Sequence, residues 1–349
     1  CASVCTAMDD KLPDVIQNSV ALGQILEYLS PEQCTSVCVA MKDEFPGIIK
    51  NGWHFARTLE HLPPAQRTSV YSAINDKLPD IINNGFDLQC VFDYLIPEQC
   101  AGVYAAIKEK LPEMAQNAWE FSQVLEKLTI AQRTSVYERK KDALPDMIQN
   151  AWDLGWVLKY LTTAQCDSVC NTIKDKLAQI IQNSWDFYQT LRPLTPEQCT
   201  IVYNAAQGRL PDIIENDEDL GRTLQYLTPG QCTSVCIAIK DKLPDIIKNA
   251  RGFGRQVLKP LSSEQRTIVY RAMKDILPDM IQDAWDFALT LEYLSPEQRT
   301  SIFDAIKDKL PGFIKNGMDF GRVLYFLTSE QRNSVYSVMN EKMLDIIKN

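Results

Sequence analysis

Residues 30–62 read SPEQCTSVCVAMKDEFPGIIKNGWHFARTLEHL, and single side chains in this stretch mark the ends of two helices. Ser30-Pro31-Glu32-Gln33 is a capping box: Ser30 is the N-cap, Pro31 takes the first helical position, where a missing N–H costs nothing, and Gln33 reaches back to the cap. From there Cys34, Val37, Cys38, Met41 and Phe45 recur at helical spacing and define one apolar stripe, until Pro46 stops the helix. Pro46-Gly47-Ile48-Ile49-Lys50 reads as a short turn or 3₁₀ piece. Asn51 caps a second helix, in which Phe55, Thr58, Leu59 and Leu62 fall at i, i+3, i+4 and i+7. In most other copies an acid follows three residues after the Asn, as in Asn84/Asp87, Asn150/Asp153 and Asn316/Asp319, and favours the helix N-terminus electrostatically.

The same pattern fills the chain. Copies begin at Cys1, Cys34, Arg67, Cys100, Arg133, Cys166, Cys199, Cys232, Arg266 and Arg299, with a half copy from Arg332 to Asn349. The spacing is 33 residues except for one 34-residue copy, 232–265, whose extra residue near Gln256 predicts a local bulge or register adjustment. A fixed period of this size is the signature of stacked supersecondary units. The fold class expected is therefore all-α, an α-solenoid of helix-turn-helix repeats (helix A, a short Pro-initiated piece, helix B), and the 349 residues are expected to form one continuous array. The chain starts without Met and stops in mid-repeat, so a longer protein is expected.

The copies supply their own comparison. The Gln of the capping box stands at every junction, from Gln33 to Gln331, and the Leu closing helix B is unchanged from Leu29 to Leu327. Positions common to every interface speak for packing and capping. On helix B a second row varies: Trp53/Arg57, Phe86/Cys90, Trp119/Gln123, Trp152/Trp156, Trp185/Gln189, Glu218/Arg222, Arg251/Arg255, Trp285/Leu289 and Met318/Arg322. Trp and Arg are the residues that dominate binding hot spots. The candidate partner-binding residues are accordingly Trp53, Arg57, Trp119, Trp152, Trp156, Trp185, Arg222, Arg255, Trp285 and Arg322. Packing between repeats is the competing, favoured reading for the Trp rings, because Trp is highly buried on average, and the Arg is the member expected to be exposed.

No catalytic constellation emerges. His54 and His61, the only histidines, lie in one copy and read as drifted surface residues. Four copies carry Cys-x₃-Cys (Cys1/Cys5, Cys34/Cys38, Cys166/Cys170, Cys232/Cys236), and the first two pairs could converge across a repeat boundary into a four-thiolate zinc site. Arg and Tyr occupy those positions elsewhere, as in Arg67/Tyr71, which favours a rim of the inter-repeat seam, so neither metal nor cofactor is expected. Lys-Asp-Lys-Leu-Pro-Asp reads as the solvated end of helix A.

Net charge is −9 with a pI near 5.0, and acids and bases are interspersed. Phosphate binding needs clustered cations, so nucleic acid and anionic membranes are disfavoured partners. No apolar stretch reaches 18 residues, and the eleven cysteines read as reduced thiols of a cytosolic protein.

Leu-Thr-Pro-Glu-Gln at 194–198 resembles the opening of TAL-effector repeats, but no base-reading loop or Gly-Gly-Lys-Gln segment follows. Over the whole unit, LTPEQ…DKLP(D/E)IIK…DF…VLxYL resembles the tandem-repeat secreted effectors of intracellular bacteria of the Legionella type. That resemblance implies delivery into a host cytosol and action on host proteins. The main expectation is a non-enzymatic protein-binding scaffold. Modular nucleic-acid binding, and substrate selection for an enzyme whose catalytic part lies elsewhere, are the alternatives.

Overall fold

The computed structural model describes residues 16–41 and 43–340. Every regular element among them is helical. A repeat consists of helix A (for example Pro196–Ala206), a four-residue helix (Leu210–Ile213) and helix B (Asp217–Leu224). The linking piece is thus a short α-helix, and a 3₁₀ turn precedes it in three copies, at Lys174–Lys176, Gln207–Arg209 and Lys240–Lys242. Helix A cannot run through the linking proline, whose ring would strike the carbonyl four residues back. For Pro79 and Pro211 those residues are Asn75 and Gln207, and both are the C-caps where helix A ends. Where Ala178 replaces the proline the break persists, because Leu177 and Ile180 are buried in the same way as their counterparts.

The helices group into two compact units. One holds residues 16–149 with Trp156–Thr162, the other Asn150–Gly155 with residues 163–340. Within each unit A packs on A and B packs on B, as in Pro31–Ala40 on Pro64–Ile74 and Ser184–Leu191 on Asp217–Leu224. The stripes read from sequence are buried, with Cys34, Val37 and Cys38 on A and Phe55, Thr58 and Leu59 on B, but helix A closes at Ala40, ahead of the expected stop at Pro46, so that Met41 is its C-cap, Phe45 opens the short linking helix and Leu62 follows B. Phe121, Phe187, Phe253 and Phe287 repeat the Phe55 position, each fully buried. Such burial stabilises by roughly 1.5–3 kcal/mol per side chain.

Helix starts are fixed locally. Ser30, Thr129, Thr195, Thr228, Ser262, Ser295 and Thr328 all form complete capping boxes. Asn183 and Asn216 accept the Asp186 and Asp219 N–H at 2.9 and 3.0 Å to cap helix B. The acid at that third position does more than face the helix N-terminus: Asp186 accepts the Gln182 N–H at 2.9 Å, and Asp87 accepts the Gly52 N–H of the preceding repeat at 3.0 Å. His54 stands where other copies have an acid and does part of its work, with Nδ1 accepting the Lys50 N–H at 3.3 Å. His61 is exposed beside Glu60.

The C-termini of the B helices explain the junction residues. Buried Gln265 accepts the Ser262 N–H through Oε1 at 2.8 Å and donates from Nε2 to Leu224 O and Leu227 O at 2.9 and 2.7 Å. One side chain therefore caps its own helix A and closes the end of an earlier helix B. The Cys/Arg position serves the same end, not an exposed rim. Cys199 and Cys232 point Sγ at Leu191 O and Leu224 O, at 3.6 and 3.5 Å, while Arg133, Arg266 and Arg299 donate from Nε to Leu125 O, Leu258 O and Leu291 O at 2.8–2.9 Å. Each Arg then covers a ring at the end of helix B of its own copy: Arg67 over Tyr94, Arg133 over Tyr160, Arg266 over Tyr293 and Arg299 over Phe326, at 4.9–5.2 Å. The cysteines are buried and the arginines only partly so.

The surplus residue is absorbed by a π-helix, Phe253–Leu258, in which the Lys259 N–H reaches Gly254 O at 3.0 Å. Elsewhere the buried series runs Phe187, Thr190, Leu191; here it runs Phe253, Val257, Leu258, so the wider turn keeps the core in register and turns Gln256 outward. The neighbouring helix makes room with a glycine, since a Cβ on Gly221 would lie 2.0 Å from the Gln256 carbonyl oxygen.

The nine described cysteines are free thiols; Cys1 and Cys5, and with them half of the candidate zinc site, lie outside the described residues. Burial pushes the thiols of Cys166, Cys170 and Cys236 up to about 12 and those of Cys199 and Cys232 to about 11. Among the described residues no cluster of His, Cys, Asp or Glu could hold a metal ion.

Two outcomes are expected. Gln265→Ala removes the amide donor shared by the Leu224 and Leu227 carbonyls, which keep only the Leu227 N–H and the weakly donating Cys232 thiol, and takes away half a cap, a loss of about 1–2 kcal/mol in urea unfolding; a change below the error of the measurement would contradict this role. Unfolded thiols titrate near 8.5 whereas the buried ones hold their protons to about 11–12, so stability is unaffected by them at pH 7 and falls as pH rises from about 9. Urea midpoints between pH 7 and 10.5 check the sign, and Cys236→Ala should make the fall shallower.

Candidate functional site

Helix B is eight or nine residues long, and its buried Phe/Leu stripe leaves the residue two after the Asn pointing outward. In the first unit Trp53 and Trp119 are 44% and 43% exposed, and Phe86 between them 44%. In the second unit Trp152 and Trp185 are both 46% exposed. The packing reading of these rings is corrected: close approach of adjacent B helices excludes a ring from the space between them, and the indole lies on the outer surface. Trp156 and Trp285 are half-buried.

The second position of the row differs from expectation in the other direction. Gln189 and Leu289 are buried, and Arg57, Arg222 and Arg322 are half-buried, held by ion pairs to Glu60, Glu218 and Asp319. Their guanidinium groups cover the indoles: Arg57 lies 5.8 Å from Trp53 on its own helix, Arg222 lies 5.0 Å from Trp185 of the preceding repeat, and Trp285 is flanked by Arg255 at 5.5 Å and Arg322 at 4.3 Å. Arg255 is the exposed member. Contacts of this kind are worth about 0.5–1 kcal/mol each at exposed sites.

The second unit carries two open grooves along this face. One, of about 410 Å³, is floored by Trp185 and Tyr188, stacked at 5.3 Å and 21°, and walled by Arg222, Gln225, Arg255, Gln256 and Lys259. Tyr226 extends the platform, 5.6 Å from Tyr188. The other, of about 400 Å³, lies around Trp285, Arg322, Arg251 and Lys315. Arg251 donates to Asp286 at 2.6 Å and to Asp283, locking the next B helix in place. Tyr188, Tyr226, Gln256, Lys259 and Lys315 are functional candidates that the two-position row missed. Tyr188 sits three residues after Trp185, a spacing that already puts both on one helix face.

The Lys of the KDKLP run reaches the preceding repeat. Lys110 and Lys242 donate to Pro79 O and Pro211 O at 3.2 and 3.0 Å, and Lys309 pairs with Asp279 at 2.9 Å. These are exposed struts of at most about 1 kcal/mol.

The fold is that of an α-helical repeat solenoid. No family model matches the chain, and no curated protein matches it. Among solved structures it is similar to PUF-8 in complex with PBE-RNA, with 11% identity, a TM-score of 0.52, and 88% of this chain and 94% of that chain covered. It is also similar to the Puf3 RNA-binding domain bound to a Cox17 RNA 3′ UTR site, at 11% identity and a TM-score of 0.46 over 92% of this chain and 94% of that one. No helix among the described residues is long and apolar enough to cross a membrane.

Two expectations are corrected by this likeness. A protein-binding scaffold acting on host proteins was expected from the Trp/Arg row and the resemblance to secreted effectors, and nucleic acid was disfavoured from the net charge of −9; a solved structure similar at a TM-score of 0.52 holds RNA on the same kind of fold. Net charge is an average over the whole surface, and it hides a groove where Arg222, Arg255 and Lys259 face one acid, Glu218.

Because the rings are about half exposed, Trp185→Ala should cost about 1 kcal/mol in urea unfolding, against about 3–5 for Phe187→Ala on the opposite face of the same helix. Equal losses would place the indole in the core.

Proposed function

We propose that the chain binds single-stranded RNA along the outward faces of its B helices, in a binding role without catalysis of its own. The observation that carries this reading is the row of half-exposed indoles, of which Trp53, Trp185 and Trp285 each have an arginine against the ring. Every base has a π-face, and stacking on an aromatic side chain is worth about 1–3 kcal/mol per base, which requires unpaired bases. The likeness to an RNA-bound repeat protein supports the choice of ligand. Acidity shapes the mode: few cations are available for phosphates, so stacking supplies most of the affinity and salt dependence is shallow. A reducing, cytosolic setting is consistent with the free thiols.

Fluorescence anisotropy with labelled 12-nucleotide single-stranded RNAs, the matching duplex and single-stranded DNA tests this at low salt. Single-stranded RNA should bind at least about tenfold more tightly than duplex, with Trp152→Ala plus Trp185→Ala weakening it by about 1–3 kcal/mol per stacked base lost. Absence of binding to any single strand at about 50 mM salt, where counterion release helps most, would end the proposal.

A further inference from the structure

The groove floored by Trp185 and Tyr188 differs from the rest of the row in one respect: the π-helix stands on its wall. The surplus residue turns Gln256 outward next to Arg255 and carries Lys259 to the groove, while Val257 and Leu258 stay fully buried. Glu218 is ion-paired to Arg222, so its charge is already balanced. Arg255 and Lys259, both exposed, form no ion pair among the described residues and leave the groove two positive charges in excess. The floor is an offset stack of Trp185 and Tyr188 that leaves aromatic surface open to the groove, and Gln225 and Gln256 each offer an amide with both a donor and an acceptor.

We infer that this groove is a nucleotide subsite created by the 34-residue copy, taking one nucleotide of a single-stranded RNA: its base stacks on the open aromatic surface of the Trp185–Tyr188 pair, its edge meets the Gln225 and Gln256 amides, and its phosphate lies between Arg255 and Lys259. This rests on the RNA-binding reading and adds to it a location, a polarity and a cause. The volume, about 410 Å³, suits one nucleotide, and the charge complements one phosphate. In the second groove, around Trp285, Arg251 and Arg322 are ion-paired to Asp283, Asp286 and Asp319, so the groove beside the π-helix, with Arg255 and Lys259, is where the strand is fixed.

The test uses the full chain, with helicity by circular dichroism as the folding control, and anisotropy titrations of a labelled 12-nucleotide RNA from about 50 to 300 mM salt. Arg255→Ala plus Lys259→Ala changes two exposed side chains and should weaken binding about tenfold or more while lowering the salt slope by about one to two, as expected for lost phosphate contacts. Trp185→Ala should weaken binding by about five- to a hundredfold and leave the slope unchanged. Gln256→Ala should alter the ranking among the four homopolymeric 12-mers. If the unsubstituted chain binds RNA and these variants bind it equally well, the subsite is wrong and the broader function stands. If the unsubstituted chain binds no RNA, both fail. Tight binding of free 5′-AMP or 5′-UMP, lost in the same variants, with no binding of RNA, would mark a small-ligand pocket and overturn the proposal.

Discussion

A helix leaves its last four carbonyls without partners, and a chain that turns from helix B straight into the next helix A has no room for a separate capping loop. The whole repeat is organised around satisfying those groups. Gln265 closes the Leu224 and Leu227 carbonyls from a later repeat while bonding the start of its own helix, and Cys232 or its Arg counterparts add a donor from the other side. The contacts to the Leu224 and Leu258 carbonyls link residues of different repeats, so a B helix is finished only when its neighbours are stacked on it.

That requirement accounts for what varies and what does not. Gln is fixed because its amide oxygen serves the N-cap of its own helix A while Nε2 reaches beyond that helix, to the Leu224 and Leu227 carbonyls from Gln265 and to the Thr267 and Thr300 hydroxyls from Gln298 and Gln331. Cys and Arg alternate because both donate to one carbonyl, and where Arg stands it meets a ring 27 residues further on in its own copy, Tyr94, Tyr160, Tyr293 or Phe326; a ring alone does not select Arg, since Cys199 is followed at the same spacing by Tyr226. With stability secured inside the layers, the outward face of helix B is released from packing, and large aromatic and cationic side chains accumulate there without damage to the core.

The 34-residue copy shows the same economy. One extra residue would throw Val257, Leu258 and Leu261 off the core face in a regular α-helix; six residues of π-helix restore them and carry the surplus outward as Gln256, at the edge of the groove. A device that repairs packing thereby changes the chemistry of the surface beside it.

Capping boxes, the starts of helices A and B, the buried stripes and the site of the insertion were legible in the amino-acid sequence, because each depends on residues three to five apart and on backbone groups whose needs are universal. The orientation of Trp185, the shielding of Arg222, the burial of Cys199 and the groove between Tyr188 and Lys259 were decided by the tertiary structure alone. Each depends on a neighbour some 30 to 70 residues away, brought close by the stacking of one helix layer on the next, and on a local charge balance that a net charge of −9 averages out of sight.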